Sequence, residues 1–118
     1  MKLITYPVVK MEDTDWVPVD PAKIISGAPR CTYKILYTNP SKEFYTGVYE
    51  CSTGKWHINY EEDEFCTLSE GQVRLTPNEG ETQEFTAPAT FTIPAGFQGT
   101  WEALGYVRKY FAIYEKLK

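Results

Sequence analysis

Runs of four to eight residues rich in β-branched and aromatic side chains follow one another along this chain, each stopped by Gly, Pro or Asn. The interruptions are Thr38-Asn39-Pro40-Ser41, Ser52-Thr53-Gly54, Glu70-Gly71, Pro77-Asn78-Glu79-Gly80, Ala87-Pro88 and Pro94-Ala95-Gly96. No segment of helical length keeps apolar residues at three- and four-residue spacing, so the pattern predicts strands joined by turns. Strands are expected at Trp16–Val19, Thr32–Thr38, Phe44–Cys51, Lys55–Tyr60, Glu64–Ser69, Gln72–Thr76, Thr82–Thr86, Thr90–Ile93, Gly99–Leu104 and Val107–Tyr114. Some ten strands in 118 residues leave a sandwich, a jelly roll or a small barrel as the all-β solutions. Residues 1–28 hold Pro7, Pro18 and Pro21, and Pro lacks a ladder donor, so an irregular arm or edge strand is expected there.

The length supports one domain with one core, read as 1–118 with its barrel over 44–114. A net charge of -4 disfavours a nucleic-acid partner, which would need a clustered basic face. The longest charge run, Glu61-Glu62-Asp63-Glu64, is acidic; its first three residues read as a solvated turn. Three cysteines, Cys31, Cys51 and Cys66, have neither an even count nor a short metal-type spacing. They suit a reducing compartment rather than a disulfide framework. The first ten residues do not read as a signal peptide, and no stretch reaches the ~20 apolar residues of a membrane span. The expectation is a cytoplasmic protein without membrane contact.

Two blocks carry the chemistry. The first runs from Gly54-Lys55-Trp56-His57 through Asn59 and Glu64-Phe65-Cys66 to Gly71; the second runs Ile93-Pro94-Ala95-Gly96-Phe97-Gln98-Gly99-Thr100-Trp101-Glu102. Their spacing resembles the two motifs of the cupins. The detail, with Arg108-Lys109 beside Tyr110, is similar to small cupins related to the ureidoglycine aminohydrolases and the ethanolamine-utilisation cupin. The resemblance implies a double-stranded antiparallel β-helix, the jelly roll, and metal ligands at four positions. His57 and Glu64 stand at two of them. Asn59 stands where a second His is usual and Gly99 where a third is usual. Two ligands out of four imply a degenerate metal site, so no confident cofactor is assigned and little or no bound metal is expected. His57 and Glu64 are the ligands if a divalent ion binds.

Residues two apart in a strand share a face, which puts His57 with Asn59, and Glu64 with Cys66 and Leu68. Alternation alone points Trp56 and Ile58 at the core and His57 at water. The resemblance reverses this, turning His57 into the barrel beside Glu64 and leaving Trp56, Ile58 and Tyr60 as an outer stripe joined by Phe65. Under that register, His57 and Glu64 are candidate catalytic residues and Asn59, Cys66 and Trp101 candidate ligand-binding residues. The plainer alternatives are a hydrogen-bonded His–Glu pair, a buried structural thiol and a core Trp. Tyr45, Tyr49, Tyr106 and Tyr110 are further sources of hydroxyls for a pocket.

The resemblance implies a small-molecule-binding protein, extending to an enzyme on a small polar nitrogen-containing metabolite. The alternatives are a non-catalytic binding or regulatory module with a degenerate metal site, and a structural dimer with a filled barrel. An outward apolar stripe would need a cover, so the reversed register predicts a homodimer.

Overall fold

A computed structural model describes residues 1–8, 10 and 16–117. Eleven strands and no helix occur among them: β1 (Val17–Pro18), β2 (Ile24–Gly27), β3 (Arg30–Thr38), β4 (Phe44–Cys51), β5 (Gly54–Asn59), β6 (Asp63–Glu70), β7 (Gln72–Pro77), β8 (Gln83–Thr86), β9 (Ala89–Ile93), β10 (Gln98–Ala103) and β11 (Val107–Tyr114). Every pairing is antiparallel. One sheet runs β1-β3-β4-β11-β6-β9 and the other β2-β5-β10-β7-β8. This is the expected all-β jelly roll. Among the described residues no helix is long and apolar enough to cross a membrane.

The expected strands appear within one or two residues of their places, and β2 is the addition. It lies inside the Pro-containing stretch read as an arm, is mostly exposed, and pairs with β5 through an irregularity between Ile24 and Ser26. Four residues with so little burial leave almost no alternation to detect. Asp63 also departs from the solvated turn assigned to it. It opens β6, and its carboxylate accepts the Ala95 N–H at 2.8 Å. With Gly96 N–H donating to the Tyr60 carbonyl at 2.7 Å, this ties the Pro94-Ala95-Gly96 corner to the β5–β6 turn.

Alternation sorts side chains between the facing sheets. Leu68, Val73, Val107 and Ala103 are fully buried between them. The Leu and Val side chains among them each contribute roughly 1.5–3 kcal/mol when wholly removed from water. On the outer face of the six-stranded sheet, residues of the amino-terminal arm are held by the barrel. The Pro7 carbonyl accepts from Arg108 Nη2 at 2.7 Å and from the Tyr110 hydroxyl. The Tyr6 hydroxyl donates to Thr46. Tyr110 thus ties down the arm on the outer face, and Tyr106 donates to Glu50 of β4 on that face, so neither hydroxyl serves the space between the sheets.

The register of β5 corrects the inward His57. Trp56 is directly opposite Trp101 on β10, and both rings are buried with centroids 6.4 Å apart. His57 and Asn59 are exposed on the outer face. A strand displaced by one residue exchanges all its inward and outward side chains. Turning His57 inward would therefore expel Trp56 and Ile58 from the interior. Burial of the indole decides the register, and the plain alternation reading was the right one. The outer stripe of Trp56, Ile58 and Tyr60 on which the homodimer rested does not exist. Of that stripe only Phe65 is outward, at 52% exposure.

Candidate ligand-binding cavity

An aromatic-lined opening lies between the sheets, with a volume of about 310 Å³. Trp56 and Ile58 from β5 and Trp101 from β10 form one wall; Tyr45 and Tyr49 from β4 and Phe111 from β11 form the other. Tyr33 and Ile35 of β3 line it while remaining 63% and 46% exposed, which places its mouth at that strand. Gly47 of β4 makes room for Phe111: a Cβ there would lie 2.8 Å from the Phe111 ring and 2.1 Å from the Lys34 carbonyl oxygen.

The interior holds an ion pair. Lys109 reaches along β11, and its Nζ lies 2.7 Å from Glu64 Oε2 on β6, both side chains being 4% exposed. The ammonium also donates weakly to the Cys66 thiol at 3.8 Å. It stands 4.6 Å from the centre of the Trp101 ring and 5.0 Å from that of Tyr49, within the range at which an aromatic face attracts a cation. Burial opposes the charge on Lys109. Tyr60, Glu64 and Cys66 outweigh that cost, so its pKa is held well above the ordinary lysine value. Lys109 is therefore a fixed cation and not an amine nucleophile.

The neighbouring groups are correspondingly inert. Burial pushes the Cys66 thiol up to about 12 against the pull of Lys109, and Cys51 likewise to about 12. A nucleophilic cysteine needs the opposite shift, so Cys66 acts here as a buried wall. The Tyr60 phenol is raised, first by burial and further by its hydrogen bond and proximity to Glu64, while Lys109 pulls the other way. It stays protonated and donates toward the carboxylate. Tyr45, at the mouth, donates to Glu115 Oε1 at 3.1 Å and is pushed up to about 12 by burial and that carboxylate.

Of the sequence candidates, Glu64, Cys66 and Trp101 come together with Lys109, whereas His57 and Asn59 lie on the far side of the β5 sheet. Lys109 had no candidate role. Its signal was available, since a lysine alternating with Val107, Phe111 and Ile113 breaks an apolar face and a buried lysine requires a partner.

The donors present do not fit the divalent ion that the cupin resemblance implies. Of the four implied positions, His57 and Asn59 face outward. A Cβ at Gly99 would lie 2.1 Å from the Thr76 carbonyl oxygen, so no side chain fits there. Glu64 remains, and an ammonium already neutralises it. Among the described residues no group of three or more His, Cys, Asp or Glu side chains is arranged to hold a metal. Three protein ligands are the usual minimum for a catalytic site.

Residues 38–111 match the family model of the EutQ-like cupin domain. No curated protein matches the chain significantly. Among solved structures, the chain resembles a DUF861-family protein of unknown function from Pseudomonas syringae pv. tomato at TM-score 0.74 and 24% identity. That match covers 96% of this chain and 45% of the other. It resembles the Clostridium difficile EutQ protein at TM-score 0.65 and 18% identity, covering 73% of this chain and 63% of that one. The chain thus spans less than two thirds of either relative. An acetylacetone dioxygenase from Acinetobacter johnsonii shares the fold at TM-score 0.58 and 20% identity, with 97% and 77% covered.

Proposed function

The chain belongs to the EutQ-like cupin domain family, and on that premise we propose that it is a small-molecule-binding cupin that works without a metal ion. The observation that supports this reading is the Lys109–Glu64 pair inside an aromatic cavity. The protein's own ammonium neutralises the single carboxylate that a metal would otherwise use. The walls are apolar and flat-faced, with seven aromatic and three Ile side chains among twelve lining residues. Such a lining suits a planar, largely apolar molecule, whose rings lose water against Trp56 and Trp101. It suits the small polar nitrogen-containing metabolite of the aminohydrolases poorly, because that molecule would give up its hydration for few hydrogen bonds. We retain binding, rather than a named reaction, as the function.

Thermal-shift titration tests the proposal. Planar bicyclic aromatics at sub-millimolar concentration should raise the melting temperature, and N-acetylglycinamide should not. Ile58→Trp, which fills the cavity, should abolish the shift. Stabilisation by the amide alone, or an unchanged aromatic shift in Ile58→Trp, would overturn the reading.

A further inference from the structure

We infer that the cavity selects ligands without net charge that present one hydrogen-bond acceptor: planar aromatic ketones, esters and amides rather than aromatic carboxylates or amines. This deepens the binding function proposed above and rests on it. The selection follows from the arithmetic of the buried charges. Glu64 and Lys109 line the cavity and cancel each other at 2.7 Å, and both are almost wholly removed from water. The remaining walls are aromatic or aliphatic. A ligand entering with a charge would leave that charge without a counter-ion in a site of low polarity, where uncompensated ions are heavily penalised. At the mouth, Glu115 sits on the Tyr45 hydroxyl and adds a further obstacle to anions.

The acceptor requirement comes from Lys109. An ammonium carries three donor hydrogens. Among the described residues, its hydrogen-bond acceptors are the Glu64 oxygen at 2.7 Å and the Cys66 sulfur at 3.8 Å, beside the faces of the Trp101 and Tyr49 rings. Sulfur is a weak acceptor, so a buried ammonium that faces the cavity has donor capacity to offer. A neutral carbonyl oxygen takes a hydrogen bond there without disturbing the charge balance. A carboxylate would compete with Glu64 for the same cation.

Equilibrium dialysis with three probes of one shape decides the matter: naphthalene, 2-acetylnaphthalene and 2-naphthoate. For the native protein, 2-acetylnaphthalene should bind about tenfold or more tightly than naphthalene, the value of a hydrogen bond from a charged donor. It should bind on the order of 100-fold more tightly than 2-naphthoate. Glu64→Gln leaves Lys109 as a lone cation and should reverse the order, with 2-naphthoate the tightest. The double variant Glu64→Gln/Lys109→Met has neither charge and keeps the proposal testable if the single variant does not fold. It should bind naphthalene and 2-acetylnaphthalene within about threefold of each other, because the charged donor is gone. A native preference for 2-naphthoate, an unreversed order in Glu64→Gln, or a retained acetyl advantage in the double variant would each overturn the inference while leaving the cavity as a binding site. Failure of all three probes to bind would overturn both.

Discussion

Replacing Lys109 by Met should be among the most damaging single changes available to this chain, and the damage should disappear when Glu64 is changed with it. Met keeps most of the volume of the lysine stem and its contacts with Tyr49 and Trp101, so cavity formation contributes little. What is lost is the cation 2.7 Å from a carboxylate that is itself 4% exposed. Stranding one member of a buried pair costs about 3–5 kcal/mol. The carboxyl group can escape by taking a proton, which for an ordinary glutamate at pH 7 costs about 4 kcal/mol and limits the loss to that scale. Against a total stability on the order of 5–15 kcal/mol, this corresponds to a fall in melting temperature of roughly 10–25 °C. Glu64→Gln/Lys109→Met removes both charges and should lie within about 2 kcal/mol of the native protein. Urea denaturation followed by circular dichroism on the native protein, both single variants and the double variant closes the cycle. The Lys109→Met penalty should also shrink as the pH is lowered, because the stranded carboxyl is then more readily protonated. A loss below about 1 kcal/mol for Lys109→Met, or strictly additive effects, would refute the buried-pair reasoning.

His57→Ala, on the exposed face, should change stability by no more than about 0.5 kcal/mol and leave ligand affinity unaltered; a loss of binding in dialysis would restore His57 to the site. Gly99→His should destabilise by at least about 2 kcal/mol, since its Cβ would meet the β7 backbone, and should gain no zinc by elemental analysis. Cys51 and Cys66 hold their protons in the folded state up to about 12, against a usual value of 9.0. The unfolded chain releases those protons first, so the stability they contribute is complete below pH 9 and is lost as the pH rises toward 12. Urea midpoints across that range should fall. At pH 8, iodoacetamide should label the half-buried Cys31 before either of them by mass spectrometry.

Strand positions were legible because each turn announces itself. Phe44–Cys51 and Val107–Tyr114 emerge with the expected bounds, being long runs rich in aromatic and β-branched side chains. Glu64, Cys66 and Trp101 were turned toward the interior by the cupin spacing, which chose the face, and by alternation along β6 and β10, which grouped the residues on it. The orientation of β5 was not read correctly, because motif spacing outweighed a local fact: two large side chains, Trp56 and Ile58, alternate with two polar ones. Transfer free energy acts on every residue of the strand, whereas motif spacing concerns only the few positions that would coordinate a metal. Lys109 stayed hidden for a different reason. Its partner is 45 positions earlier in the chain, and pairing across strands is set by sheet order, which alternation does not encode.

The open flank of β3 carries a further consequence. β1 pairs only with Arg30 and Cys31, and among the described residues no strand covers the stretch from Tyr33 to Thr38 on that side. The lip of the cavity and the unpaired border of the sheet are thus one segment, with Tyr33, Ile35 and Tyr37 all exposed. A bare border of this kind templates association between chains. A guest seated against Tyr33 and Ile35 covers part of that surface, so occupancy and colloidal behaviour are linked: the filled protein should tolerate concentration and storage better than the empty one, and turbidity would report the guest's presence without any optical signal from the cavity.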